Sequence, residues 1–292
     1  MKKGLIFGNG YLGNRISGEL GIPIDTHRII ENMVVGTNQY LDEYLKGKSL
    51  DFVINAIGKT HGSNSIGIDY CKFHKEETLQ SNVSVAEELA SACARNHIYF
   101  VHLGSGCIYQ GDKNGFGYSE EDKSNFSEQF YAFTKATAEE SLLELARINP
   151  NFKYLDKRIR MPIDDRPHER NLIDKLKGYA KVIDIQNSMT TVPHMIPALR
   201  LMIKQKLTGI YNFTNPGTIS AFEIMTLYKK IVDPNHRFEL MSLEELNNTT
   251  KDPRSNCKLN TDKLENAGIK LPEIHEAVEE CMRGYKKRLD KK

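Results

Sequence analysis

Short, largely apolar runs alternate with longer amphipathic stretches along the first part of the chain. Gly4–Phe7, Ile22–Asp25, Phe52–Ala56, Tyr99–Leu103, Tyr154–Ile159 and Gly209–Phe213 have the length and side-chain character of buried strands. Between them, Tyr11–Glu19, Lys75–Arg95 and Gln129–Arg147 carry apolar residues at three- and four-residue spacing, the period of a helix with one buried face. Buried strands alternating with helices predict a parallel sheet covered on both faces. Right-handed crossovers then make it a doubly wound α/β fold. After Arg160-Met161-Pro162 the pattern changes. Asn171–Ala180 and Met195–Lys204 read as helices, and Asn215-Pro216-Gly217 as a turn. The expected organisation is a Rossmann domain over residues 1–160, with a returning strand near 209–214. A smaller C-terminal lobe over 161–292 is expected to bind mainly the substrate.

Composition narrows this picture. Forty basic against thirty-eight acidic side chains leave a formal charge of +2 in 292 residues. No global field then favours nucleic acid or a membrane surface, and neither is expected as a partner. The basic C-terminal run reads as a solvated helix end favoured by the macrodipole. Cysteines 71, 93, 107, 257 and 281 form no CxxC pair and no metal-ligand spacing, so no metal is expected. An odd, scattered set suits a reducing compartment, which makes the cytoplasm the expected location (the host's, for a viral protein). The apolar run after Met1-Lys2-Lys3 is four residues long and reads as a strand rather than a signal peptide.

Candidate chemistry begins at Gly8-Asn9-Gly10-Tyr11-Leu12-Gly13, which follows a predicted strand and opens a predicted helix. In that context Gly8 permits a tight turn, Gly10 lets the backbone approach a pyrophosphate, and Gly13 allows close helix–strand contact. The helix start offers N–H groups and a positive dipole end to the phosphates. At the end of the second strand, Asp25 would hold the ribose hydroxyls of NADH, whereas Arg28 suits the 2′-phosphate of NADPH. The guanidinium fork favours NADPH, and Asp25 leaves NADH open. Asn55-Ala56-Ile57-Gly58, closing the third strand, is expected beside the adenine and bridging phosphates.

Tyr131 and Lys135 are one helical turn apart, so both face the same side. A free phenol titrates near pH ~10, and a nearby ammonium lowers that value enough for proton transfer. Ser105 closes the preceding strand, where its hydroxyl can steady a substrate oxygen. Together these residues point to hydride transfer to a carbonyl.

The same residues resemble the extended short-chain dehydrogenase/reductase superfamily over essentially the whole chain. Gly104-Ser-Gly-Cys-Ile-Tyr109, Asn125-Phe126, Phe130-Tyr131 with Thr134-Lys135, and Arg158-Ile-Arg-Met-Pro-Ile163 are similar to nucleotide-rhamnose synthase/epimerase-reductases. So are Asn187-Ser-Met-Thr190, Gly209–Gly217 and Pro253-Arg-Ser-Asn256. Such proteins form the C-terminal half of plant UDP-rhamnose synthases and occur alone in plants and giant viruses. The resemblance implies conversion of UDP-4-keto-6-deoxy-glucose to UDP-L-rhamnose: inversion at C3 and C5, then NADPH reduction at C4. A separate 4,6-dehydratase would supply the ketosugar. Homodimers are common in the superfamily.

Both hydrogens to be exchanged flank the C4 carbonyl, so one oxyanion grip at Ser105 and Tyr131 serves epimerisation and reduction alike. Epimerisation also needs an acid and a base. Cys107, two residues past Ser105, is the first candidate, since a thiol with pKa ~8.5 can exchange protons near neutrality. The family pattern implies Lys175 as its partner, with His168 a weaker substitute. It also sets Met161 at the cofactor and Asn171 at the sugar. Thr60 and Arg254 are candidates for the sugar and diphosphate, and Asn82 for ordering water or backbone near the tyrosine. Ser105 stands where plant members carry Thr, which keeps the hydroxyl, and the loop from Cys107 to Gly115 is shorter than theirs. Rival readings are a monofunctional dTDP-4-dehydrorhamnose reductase, which needs no thiol, and a GDP-L-fucose synthase-like epimerase-reductase. A non-catalytic dinucleotide-binding regulatory subunit would tend to lose the Tyr–Lys pair or the hydroxyl.

Overall fold

The computed structural model describes residues 3–25, 39–62, 67–250 and 252–291. A six-stranded sheet contains β1 (Gly4–Phe7), β2 (Ile24–Asp25), β3 (Phe52–Asn55), β4 (Tyr99–Ser105), β5 (Tyr154–Ile159) and β7 (Gly209–Asn212). Their order is β2-β1-β3-β4-β5-β7, with β1 parallel to β2 and β3, and β3 parallel to β4. The chain thus leaves β1 in both directions, the topology of the expected doubly wound sheet, which places the β1 C-terminal turn at the switch point. All four residues of β1 and of β3 are buried, which is why these segments show no polar alternation.

The long helix expected over Lys75–Arg95 is interrupted. Helices Lys75–Leu79 and Val85–Arg95 flank a π-helical turn, Gln80–Ser84. Such turns shift the side chains that follow and often serve a site.

Two compact units result: Met1–Ser105 with Ser127–Lys157 and Met202–Tyr211, and Gly106–Phe126 with Arg158–Leu201 and Asn212–Lys292. In the first, Leu5, Phe7, Val53 and Phe100 pack with Leu89, Cys93 and Leu142. The second is built around helices Ala221–Ile231 and Ile274–Leu289, whose Ile224, Met225, Val278 and Met282 pack with Ile163, Ile173 and Ile219. It also holds a small parallel sheet of β6 (Lys181–Ile183) and β8 (Glu239–Met241) that the sequence pattern did not predict.

One expected helix is much shorter. Asn171–Ala180 reduces to Leu172–Leu176, because Gly178 turns the chain and the Ala180 carbonyl accepts from Glu239 N–H at 2.9 Å, committing the next residues to β6. The helix expected over Met195–Lys204 spans Val192–Gln205. Among the described residues no helix is long and apolar enough to cross a membrane.

Candidate active site

The turn after β1 has the shape of a phosphate cradle. Gly8 has φ +114°, and a Cβ there would lie 2.6 Å from the Ala56 carbonyl carbon. At Gly13 a Cβ would collide with Gly8 O. Gly10, by contrast, caps the helix Tyr11–Leu20 with open space where its side chain would be. No side chain caps that helix, so its first N–H groups are placed for an anion. Asn14 braces the loop from behind, donating to Gly10 O at 3.0 Å and to Asn9 O. Tyr11 and Leu12 are half-buried in the first turn. This cradle fits a dinucleotide pyrophosphate.

Asn55 closes β3, and its Oδ1 accepts from Ile57 N–H at 3.0 Å, folding Asn55–Ile57 into a tight turn. Beyond Gly58, Lys59 N–H donates to Asn82 Oδ1 at 2.6 Å. At the ribose end, Asp25 accepts a hydrogen bond from Tyr44 OH, so one carboxylate oxygen already has a protein donor. Arg28 lies outside the described residues.

The first unit also carries Ser105, buried at the end of β4, and the helix Phe130–Ile148 with half-buried Tyr131 and buried Lys135. Lys135 Nζ donates to Leu103 O at 3.0 Å and stands 3.4 Å from His102 Nε2. The π-helical turn brings Asn82 between two parts of the site. Its Nδ2 donates to Lys59 O at 3.2 Å and to Thr134 Oγ1 at 3.1 Å, and Thr134 Oγ1 donates to Tyr131 O at 2.8 Å. The cofactor-side loop and the tyrosine's own backbone are therefore joined through one amide. Thr60 Oγ1 contacts His61 Nδ1 at 2.9 Å.

In the second unit, half-buried Cys107 follows Gly106, where a Cβ would lie 2.5 Å from Leu259 and 3.0 Å from Arg160. Arg160 is the organiser of this turn. Its buried guanidinium donates to Gly106 O, Ser188 O, Asn187 Oδ1 and Ser255 Oγ at 2.7–3.1 Å, drawing distant segments together. Cys257 Sγ also donates to Gly106 O, at 3.5 Å, and burial pushes its thiol above the ordinary range, with Cys107 adding to the shift. Lys175 is held below the usual lysine range by burial first and by the Arg170 charge second, both of which favour its neutral amine over the ammonium. Asn171 has both amide ends in use: Oδ1 accepts from Asp164 and Ile173 N–H, while Nδ2 donates to the Asp164 and Arg166 carbonyls. It is a helix cap and loop brace. Met161 sits in the left-handed region, φ +39°, at the end of β5, and Arg254 is half-buried. His168 Nδ1 accepts from Arg170 N–H at 3.0 Å.

Sequence reasoning missed His102 and Arg160. Each is a polar residue inside a buried strand segment or at its end, a signal that hydrophobic patterning registers only as an interruption.

A switch-point glycine turn with a hydroxyl, a tyrosine and a lysine on one unit defines a dinucleotide-dependent enzyme of the short-chain dehydrogenase/reductase class. The model of the NAD dependent epimerase/dehydratase family matches residues 23–158. A bifunctional dTDP-4-dehydrorhamnose 3,5-epimerase/dTDP-4-dehydrorhamnose reductase of Arabidopsis thaliana is 38% identical over 232 residues, covering 77% of this chain and 74% of its own. The crystal structure of a UDP-rhamnose synthase from Acanthamoeba polyphaga mimivirus superposes with a TM-score of 0.86 at 32% identity, over 97% of this chain and 99% of that one. A trifunctional UDP-glucose 4,6-dehydratase/UDP-4-keto-6-deoxy-D-glucose 3,5-epimerase/UDP-4-keto-L-rhamnose-reductase of Arabidopsis thaliana is 37% identical over 239 residues. Those residues are 76% of this chain but only 35% of that protein. The chain belongs to the NAD dependent epimerase/dehydratase family, in its nucleotide-rhamnose epimerase-reductase branch.

Proposed function

We propose that this protein is a bifunctional 3,5-epimerase and 4-reductase that converts UDP-4-keto-6-deoxy-D-glucose to UDP-L-rhamnose with NADPH. The observation that carries this reading is the run Ser105-Gly106-Cys107, which sets an oxyanion-gripping hydroxyl and a proton-exchanging thiol one glycine apart at the end of β4.

Loss of a proton from C3 or C5 leaves an enolate with its charge on O4. Ser105 and Tyr131 donate hydrogen bonds to that oxygen, so a single grip stabilises the enolate and later the alkoxide. We assign proton exchange at C3 and C5 to Cys107 and Lys175. The downward shift at Lys175 favours the amine form that a base requires. Bound NADPH supplies the hydride for C4. Tyr131 gives its proton to O4 as the alkoxide forms, and Lys135 supports the phenolate that remains. The cradle at Gly8, Gly10 and Gly13 would hold the pyrophosphate, flanked by Asn9, Tyr11 and Leu12. The turn Asn55–Gly58, braced by Asn82, would flank the adenine side, and Met161 would adjoin the nicotinamide. Arg28 would pair with the 2′-phosphate. Thr60 and Arg254 remain our candidates for the sugar and diphosphate, whereas Asn171 serves as scaffold. We place the 4,6-dehydration that makes the ketosugar on a separate enzyme. Five cysteines in thiol form fit a reducing compartment such as the cytoplasm.

The nucleotide is the point to test, because one relative's name specifies dTDP and others specify UDP. UDP-, dTDP- and GDP-linked 4-keto-6-deoxy sugars are each incubated with NADPH in heavy water. The expected result is NADPH oxidation with the UDP sugar and a rhamnose product deuterated at C3 and C5. Oxidation without deuterium would reduce the protein to a reductase, and turnover confined to another nucleotide would replace the substrate.

A further inference from the structure

We propose that Asn55 and His102 form a positioning pair beneath Lys135, fixing the imidazole with its proton on Nε2, where it can hydrogen-bond to the lysine's amine form. The inference deepens the proposed reduction and rests on that reading for its catalytic consequence.

One chain of hydrogen bonds links these groups. Ile57 N–H donates to Asn55 Oδ1 at 3.0 Å, which decides the orientation of the amide. Asn55 Nδ2 therefore faces His102 Nδ1, at 3.2 Å. An amide nitrogen only donates, so Nδ1 must accept. His102 is buried, and burial above all holds it well below its ordinary range, so the ring is neutral and has one proton to place. With Nδ1 accepting, that proton lies on Nε2, which stands 3.4 Å from Lys135 Nζ. An ammonium has no lone pair to receive it; an amine has one. Lys135 Nζ completes the chain by donating to Leu103 O at 3.0 Å.

Charges on the packed elements pull both ways. On β5, Lys157 disfavours a second cation nearby, while the Asp156 carboxylate, whose Cγ is 3.0 Å from where a Gly104 Cβ would be, favours one. On the lysine's own helix, Tyr131 and Glu139 also face the interior. Asn82 and Thr134 add only neutral groups. Lys135 thus cycles between both forms, and the Nε2–H makes the amine form easier to reach.

The bookkeeping is simple. Tyr131 passes its proton to O4, and the phenolate regains one originating from the Lys135 ammonium. His102 Nε2–H then hydrogen-bonds to the amine left behind, and water restores the lysine's proton. A lysine whose amine is stabilised in this way is a stronger acid towards tyrosinate.

The tautomer is read without any substrate. Protein labelled with 15N in its histidine rings is observed by long-range 1H–15N correlation from pH 6 to 9, and the His102 signals are assigned by their loss in His102→Phe or, should that variant not fold, His102→Gln. Expected is a bare Nδ1, a protonated Nε2 and no titration. A proton on Nδ1, or a ring that titrates in this range, overturns the proposal. His102→Phe keeps the ring stacked on Phe100, at 6.2 Å between centroids, and removes both nitrogens. Its kcat profile for ketosugar reduction should move about one unit to higher pH, with KM for NADPH unchanged. An unmoved profile would leave His102 as packing only. If wild-type protein oxidises NADPH with no ketosugar, the functional reading fails while the NMR result still decides the tautomer.

Discussion

Lys157 should make the protein less stable than it need be, and replacing it with Met should show this directly. The side chain lies on β5 with no exposed surface, and its Nζ finds no hydrogen-bond partner among the described residues. Burial pushes its pKa well below the ordinary lysine range near ~10.4, and the neighbouring Asp156 charge opposes that shift. Between the folded and unfolded values the unfolded chain holds one proton more than the fold. Unfolding free energy therefore rises with pH in that window, by at most about 1.4 kcal/mol per unit. Below the folded value the slope vanishes and the full penalty of a buried ammonium applies. Met fills a similar volume without a charge, so Lys157→Met should gain about 1–4 kcal/mol at pH 7. The gain should shrink as pH rises towards 10. Denaturant unfolding of both proteins at pH 7, 8.5 and 10 measures the difference free of other titrating groups. A variant that unfolds more easily at pH 7, or a difference that stays constant with pH, would refute the reasoning.

Three further outcomes follow from the site. Gly13→Ala drives a Cβ into Gly8 O and should weaken NADPH binding at least about tenfold, since the cradle must open to admit it; fluorescence titration of NADPH checks this, and an unchanged Kd would contradict it. Cys107→Ala should keep NADPH affinity within about twofold yet lose deuterium incorporation at C3 or C5, and unchanged incorporation would remove Cys107 from the mechanism. Arg160→Met removes the guanidinium donor from the Gly106 and Ser188 carbonyls and from Asn187 Oδ1, and should cost about 3–5 kcal/mol in denaturant unfolding. A loss below about 1 kcal/mol would show those acceptors to be satisfied without it.

The sheet was legible because its strands are buried on both faces, so the runs at Gly4–Phe7 and Phe52–Asn55 carry no competing signal. The glycine turn was legible for a related reason: Gly13 answers to local sterics, meeting Gly8 O within the same strand–turn–helix unit, although Gly8 itself is pressed against Ala56 and Ile57 after β3. Two missed helix starts were also local. Ser220 with Glu223, and Ser242 with Glu245, form reciprocal capping boxes that their spacing alone announces. What escaped is non-local. Asn82 bonds to Lys59, 23 residues back, and to Thr134, 52 residues on, only because a π-helical turn rotates it there. His102 acquires a direction only when Asn55 and Lys135 arrive from other elements. A buried polar side chain in a strand costs free energy until its partners are found, and periodicity carries no information about which partners those are. Such residues are the places where pattern reading fails. His102, Lys157 and Arg160 are three of them, all on β4 or β5 or just beyond. Arg160 lies just past the carboxyl end of β5, where a doubly wound sheet presents its chemistry, whereas His102 and Lys157 sit within their strands.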